Sequence, residues 1–259
     1  MKQQFLLALL GGTLLTAFPA FAVDHNNIDA GRPLDFDDAE AIAQGEQTLE
    51  FGASVSKPKD GKTAIGGSVE YLYGFAPNSH LSLDFDPKYS SNNSEKHRFD
   101  VGDIGVGVFH NFNREFGNTP ALSARIDAAL PVGRGSNGVD FRLRGIASKQ
   151  FGQYSRLHLN LDLNVNNSAD NDERKLVPAV ILGYSQPLGY PTNFTKTLVA
   201  QIGYRQNETK GEDGLVNIGV GLRQQIGIRS VFDVGVKSDI YGGTGREKLT
   251  LTAGYSRQF

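Results

Sequence analysis

Alternation of apolar and polar residues is the feature that most constrains the fold of this chain. From residue 46 onward, apolar side chains repeatedly stand at every second position, as in the nine residues 157–165, which read LHLNLDLNV. A period of two places one apolar and one polar face on a β-strand. No window has a convincing helical period. The chain is therefore predicted to be all-β.

Twelve strands follow from this period. We predict them at 47–56, 64–75, 80–89, 99–112, 120–132, 139–150, 154–166, 175–186, 195–206, 215–226, 230–240 and 247–259. Strands of this length suit a tilted crossing of a bilayer. Tight turns at 76–79, 151–153 and 227–229 alternate with longer polar loops, so the pattern predicts a transmembrane antiparallel up-and-down β-barrel. A barrel of ten or fourteen strands remains an alternative, because 175–186 alternates less cleanly around Pro178.

The N-terminal 45 residues precede the barrel and divide into two parts. Residues 1–22 combine a short basic start, an apolar run and Ala20-Phe21-Ala22, which predicts a signal peptide cleaved after Ala22. An uncleaved anchor is the alternative, but the run is short for a spanning helix. Residues 23–45 carry six acidic side chains and one basic one, Arg32. They could form a plug attracted by lumen arginines or a loose periplasmic leader; residues 46–259 form the barrel.

The last predicted strand ends in an aromatic pattern. Tyr255 and Phe259 share the apolar face with Leu249 and Leu251. A C-terminal Phe with an aromatic residue four positions earlier resembles the assembly signal of Gram-negative outer-membrane barrels. Arg257 occupies a position that is usually apolar in that signal, but a long cationic side chain is tolerated at the membrane interface. The resemblance implies residence in the outer membrane, with its lipids and the barrel-assembly machinery as partners.

Composition limits the remaining function classes. The formal net charge is −2, which leaves no basic excess for nucleic acid, and cysteine is absent. None of the five histidines belongs to a recognisable hydrolase or metal motif. We therefore predict no catalytic residue, no metal site, no cofactor and no enzymatic activity. A barrel hydrolase is the least favoured alternative.

The polar strand face is predicted to line the barrel interior. Its titratable candidates are Glu50, Glu70, Asp84, Arg125, Asp127, Arg142, Arg144, His158, Asp162, Arg205, Arg223, Asp233 and Lys237. The first three strands contribute acids, whereas arginines cluster on the fifth and sixth. Such arcs would create a transverse field across a water-filled pore. Alternatively, the charges pair across strands and fill the interior.

Two finer expectations concern register and anchoring. The apolar positions of strand 99–112 change parity at Gly102-Asp103, which predicts a β-bulge there. Aromatic residues near strand ends or on the apolar face are expected to form interfacial girdles. They are Tyr71, Tyr73, Phe75, Phe85, Phe109, Phe112, Tyr184, Tyr204, Phe232 and Tyr255.

Short motifs in the chain resemble a known family. GRPLDFDDAE at 31–40 and QGEQTLE at 44–50 are similar to the opening of outer-membrane barrel proteins named after the MetA pathway of phenol degradation. GDIG at 102–105, LPVG at 130–133 and LHLNL at 157–161 resemble that family's strand signatures. The resemblance implies a passive channel for uptake or efflux of small solutes, with aromatic compounds suggested by the family label. A structural or adhesive barrel without transport is the alternative.

Overall fold

The strands of this chain close into one antiparallel sheet. The computed structural model describes residues 32–59, 63–90, 99–134, 136–189 and 194–259. The predicted signal peptide and its cleavage site lie outside the described residues. A search of the described residues for a membrane-spanning helix finds none.

Fourteen strands occur in the described residues. They are β1 (Gln47–Pro58), β2 (Ala64–Ala76), β3 (Ser79–Phe85), β4 (Lys88–Ser90), β5 (Phe99–Asp100), β6 (Ile104–Asn113), β7 (Ala121–Leu130), β8 (Asp140–Phe151), β9 (Ser155–Val165), β10 (Leu176–Leu188), β11 (Lys196–Arg205), β12 (Leu215–Gly227), β13 (Ser230–Tyr241) and β14 (Glu247–Gln258).

Twelve of these strands form a closed barrel. Each pairs with its neighbour along the chain, β3 pairs with β6, and β1 pairs with both β2 and β14. The seam between β1 and β14 runs in continuous register from Thr48 opposite Gln258 to Lys57 opposite Leu249. Closure leaves the barrel no open edge, so each barrel strand has a hydrogen-bonded neighbour on both sides. The predicted twelve-strand antiparallel barrel is confirmed.

The short strands β4 and β5 correct two predicted boundaries. The 80–89 strand divides into β3 and β4 at Asp86-Pro87, where proline has no N–H for the ladder. The 99–112 strand divides at 101–103 into β5 and β6, so the parity change is a break between two strands. Gly102 there has a φ of +75°. Asp103 accepts hydrogen bonds from the Gly133 N–H (2.9 Å) and Ser136 Oγ (2.9 Å).

The two ends of the barrel differ in their connections. We call the end with the short β2–β3, β8–β9 and β12–β13 turns the turn end; β1 begins and β14 finishes there. The loop end carries the longer connections, including 166–175 and 206–214. Apolar side chains such as Leu83, Ile126 and Leu161 lie exposed on the outer face. Phe109 was wrongly assigned to the girdles: it is buried inside and stacks on His80 at 4.6 Å.

Candidate functional site

The lumen contains the described residues that precede β1. Residues 32–45, here called the inner segment, contact the inner wall strand by strand. Arg32 lies beside β1 and β14, Asp35 beside β11, Asp37 beside β9 and β8, and Ile42 beside β3. Gly45 then donates its N–H to Gly74 O of β2 at 2.7 Å, just before β1 begins. The inner segment therefore passes round the inside of the barrel.

Chain length agrees with this path. Fourteen extended residues reach at most about 50 Å. The 12 barrel strands lie about 4.8 Å apart along their hydrogen bonds, and a tilt of about 40° makes the wall perimeter about 75 Å, or roughly 45 Å for a path about 5 Å inside it. A segment lying just inside that wall follows a shorter path. The inner segment is thus long enough to form a ring that narrows the lumen.

Wall side chains hold the backbone of the inner segment. The N–H groups of Asp35, Asp37 and Ala39 donate to Gln201 Oε1 (2.8 Å), Asn160 Oδ1 (2.8 Å) and Ser148 Oγ (2.9 Å). Further bonds reach Asp37 O from Asn160 (2.9 Å) and Ala39 O from Asn111 (2.6 Å) and Ser123 (2.7 Å). Buried backbone groups need such partners. Side-chain amides and hydroxyls of the lumen therefore form hydrogen bonds with the backbone of the inner segment, as the backbone of a neighbouring strand would in a sheet.

Glycines on the inner face give the segment room. A Cβ on Gly183 would lie 2.5 Å from the Phe36 ring, and one on Gly221 would lie 2.6 Å from Pro33. A Cβ on Gly74 would lie 2.0 Å from Ala43 O. Phe36 and Leu34 pack there with Ile181 and Val199 in a buried apolar cluster. Among the described residues, the inner segment thus covers an apolar patch of the otherwise polar lumen here, and a second one where Ala39 packs with Phe109, Ala121 and Ile146.

Arg144 joins the inner segment to the wall by charge. Its guanidinium donates to Asp162 Oδ1 and Oδ2 at 2.7 Å each and to Asp37 Oδ2 at 2.7 Å. All three side chains are almost fully buried. Asp37 is on the inner segment, so this three-residue cluster fixes the segment near the middle of the barrel.

Ion pairs also connect the predicted acidic and basic arcs. Arg125 donates to Glu70 at 2.9 Å and to Asp127 at 2.7 Å, and Asp127 also receives Arg142 at 2.9 Å. Arg142 is the least buried of these side chains. The arcs are therefore bridged inside the barrel, although Arg142 still borders open space.

A second charged group surrounds Arg32. Its guanidinium donates to Glu50 and to the Phe51 carbonyl, and to Ser256 Oγ at 3.3 Å. Arg223 donates to the Arg32 carbonyl at 2.8 Å. Asp233, opposite Arg223 in the β12–β13 register, is fully buried and both its carboxylate oxygens lack hydrogen-bond partners.

The other predicted lumen residues take several positions. Lys237 pairs with Asp35 of the inner segment, whereas Arg205 pairs with Glu208 in an exposed loop at 3.4 Å. Asp84 borders a lumen cavity. His158 is fully buried between Ser148 and Ser185, at 2.9 Å from each hydroxyl. It stacks on Phe36, so it supports the inner segment.

Cavities lie on either side of the inner segment. On the loop-end side a cavity of about 390 Å³ is bordered by Asp35, Arg142, Tyr204 and Lys237. An adjoining space of about 250 Å³ is lined by Arg32, Glu70 and Asp84. At the turn end a cavity of about 820 Å³ is bordered by Glu40 and Ala41 of the inner segment. The segment therefore separates two polar vestibules.

The turn-end vestibule carries charged groups from the β6–β7 connection. Glu115 accepts hydrogen bonds from Lys149 Nζ (2.8 Å) and from the Gln150 N–H (2.9 Å). Partial burial alone would raise the pKa of Glu115, but these two donors lower it below its ordinary value. Arg156 bridges Glu115 (3.9 Å) and Glu40 (2.5 Å), which ties the rim to the inner segment.

Sequence reasoning missed most residues that hold the inner segment. Gln201, Asn160, Ser148 and Asn111 are neutral and carry no motif, so their role depends on the fold. One signal was available: glycines occupy inward positions on several strands, as at Gly183, Gly221, Gly235 and Gly254. Glycine weakens a strand, so its repeated use on one face indicates close approach of another chain segment.

Fold and lumen together define a class: a closed twelve-stranded barrel with an apolar exterior, a charged interior and a chain segment inside it. The family model described as "Putative MetA-pathway of phenol degradation" matches residues 30–252. The chain belongs to this family. A comparison with curated proteins gives no match.

Solved structures share the fold. A COG4313 outer membrane channel from Pseudomonas putida F1 superposes with a TM-score of 0.70 at 16% identity, covering 87% of this chain and 100% of that one. The NanC porin gives 0.60 at 11% identity, covering 81% and 98%. The KdgM porin, solved in complex with disordered oligogalacturonate, gives 0.56 at 10%, covering 82% and 99%. At these identities the likeness concerns the fold.

Proposed function

We propose that this protein is an outer-membrane channel for passive movement of small solutes, with the inner segment as its constriction. The observation that carries the proposal is the pair of polar vestibules separated by residues 32–45. An apolar outer face with a polar lumen suits a bilayer-spanning barrel. Family membership and the fold shared with an outer-membrane channel and a porin support this role.

Solute class follows from the lumen lining. Both cavities border more polar than apolar groups, and cations and acids occur side by side. A lumen with balanced charge selects mainly by size. Aromatic solutes enter this proposal through the family label, supported by the Ile181, Tyr204 and Leu215 side chains of the loop-end vestibule.

A structural or adhesive barrel is the second candidate, and the dense internal ion pairs favour it. Reconstitution distinguishes the two. Purified full-length protein in planar bilayers should give discrete conductance steps, and liposome swelling should rank sugars and aromatic solutes by size. The Lys237→Ala variant, which removes the ion-pair partner of Asp35 in the inner segment, is measured beside the wild type. If neither protein gives conductance or swelling, the structural barrel is favoured.

A further inference from the structure

The group around Arg32 has the composition of a ligand site whose ligand is part of the chain. Glu50, the Phe51 carbonyl and Ser256 Oγ accept hydrogen bonds from the Arg32 guanidinium, and Asp233 lies beside it. A Cβ on Gly254 would lie 2.4 Å from Arg32 Nη1 and 2.6 Å from Asp233 Oδ1, so both atoms flank the same point. We call Glu50, Phe51 O, Asp233 and Ser256 the socket.

Charge in the socket requires one additional cation. Glu50 and Asp233 carry two negative charges, and Arg223 on the neighbouring strand supplies one positive charge. Arg32 supplies the second. Without it, a buried carboxylate would remain uncompensated, which is costly in a low-dielectric interior.

Geometry selects a planar, forked cation. Nη1 and Nη2 of Arg32 address different acceptors, a carbonyl on one side and a carboxylate with a hydroxyl on the other. A guanidinium offers donors in such a fixed fork, whereas an ammonium is a compact point charge. The fully buried Asp233 has no hydrogen-bond partner for either oxygen and leaves acceptor capacity beside the fork.

We propose that the socket is a guanidinium-binding site of the lumen, filled in the constricted state by Arg32 and available to guanidinium-bearing solutes when Arg32 leaves it. This inference rests on the proposed channel function and names the solute class that its wall recognises. The inner segment then acts as a tethered competitor, because an intramolecular ligand has a high effective concentration.

The test uses the full-length Arg32→Ala variant in planar bilayers. Guanidinium chloride and agmatine are compared with tetramethylammonium chloride at equal ionic strength. We expect a saturable block of the variant's current by both guanidinium compounds, at concentrations that leave wild type unaffected. Adding Asp233→Asn should raise the half-blocking concentration about tenfold, the change expected from loss of one charge-assisted contact.

Lys237→Ala is the matched control. It removes the other ion pair of the inner segment, with Asp35, but leaves Arg32 in the socket. Its current should be insensitive to guanidinium. Equal block of Arg32→Ala by tetramethylammonium, or no block by either guanidinium compound, would overturn the inference. If Arg32→Ala does not assemble, Arg32→Lys replaces it, because lysine keeps the positive charge but lacks the forked donors. Guanidinium compounds should block Arg32→Lys only at higher concentrations than they would block Arg32→Ala.

A second measurement separates the two proposals. In detergent, the folded barrel migrates faster on a gel than the unfolded chain, so heating gives a midpoint temperature of unfolding. For Arg32→Ala this midpoint should rise with millimolar guanidinium chloride and stay constant with tetramethylammonium chloride. This readout does not need conduction. A rise in the midpoint temperature of Arg32→Ala, without current in Arg32→Ala or Lys237→Ala, would support the socket and contradict the channel function. Current in both variants without a guanidinium-specific rise would contradict the socket alone.

Discussion

At the residue scale, the strongest constraint on the lumen is burial of paired charge. Arg144, Asp37 and Asp162 are nearly inaccessible and are joined by three hydrogen bonds of 2.7 Å. Removing one partner leaves the others charged and desolvated. The cost of breaking such a cluster is therefore much larger than the cost of losing a surface pair.

Arg144→Met provides the first prediction. It should lower the free energy of unfolding by about 3–5 kcal/mol, because Asp37 and Asp162 lose their cation. Urea unfolding in lipid vesicles measures this change. Arg205→Met is the control: its pair with Glu208 is largely exposed and should contribute ~0–1 kcal/mol. Equal losses for the two variants would contradict the buried cluster as an anchor.

Gly183→Val provides the second prediction. The added Cβ would overlap the Phe36 ring at 2.5 Å, so the inner segment should leave this part of the wall. Under the proposed function, single-channel conductance should rise. Gly145→Val is the control, since nothing lies within 4 Å of a Cβ on the exposed Gly145 of β8. Unchanged conductance in Gly183→Val would argue against constriction by Phe36.

At the element scale, a period of two predicted the wall well. Ten of the twelve predicted strands correspond to single observed strands with bounds close to those observed, because alternation fixes which face meets the lumen. The other two were divided by Pro87 and Gly102, where local backbone geometry interrupts pairing. Phe109 was misassigned because it lies near a strand end; the outward residues of β6 stand at even positions, so Phe109 faces the lumen.

The inner segment could not be placed by the same reasoning. Its alternation is short, and four of its residues between 35 and 40 are acidic, which is equally typical of a solvated leader. Its position depends on contacts more than a hundred residues away, such as Asp37 with Asn160 and Ala39 with Ser148. Lumen arginines were identified as candidate partners, but which acid each one binds follows from the closed barrel.

The third prediction belongs to β14. The Phe259 side chain is 62% exposed, and its N–H donates to Gln47 O at 2.9 Å across the seam. Deletion of Phe259 should strongly reduce the amount of protein in the outer membrane while leaving export intact, as proposed for a C-terminal assembly signal. Fractionation with immunoblotting measures both. Ile228→Ala, at another exposed apolar site of the turn end, is the control. Equal surface levels for both variants would contradict the signal.

At the scale of the whole molecule, the charges compensate one another locally. The four basic side chains bordering the loop-end cavity, Arg142, Arg144, Arg205 and Lys237, are matched by Asp35, Asp162, Asp239 and Glu247. Under the proposed function, a balanced vestibule should give weak ion selectivity, and the inner segment should limit the size of the solutes that pass. Arg142 combines partial exposure with a position bordering both loop-side spaces.

The fourth prediction uses that position. Arg142→Glu changes the vestibule by two charge units and places an uncompensated acid beside Asp127, so permeating cations should be favoured. Reversal potentials under a salt gradient in planar bilayers should shift toward cation selectivity.

Arg144→Glu is unsuitable for this purpose, because it would also break the buried cluster with Asp37. Arg229→Glu, an exposed change at the β12–β13 turn outside the described cavities, is the control. Because both variants alter the net charge equally, a shift confined to Arg142→Glu would locate the ion path in the loop-end vestibule. An equal shift in both variants, or none in either, would contradict that path.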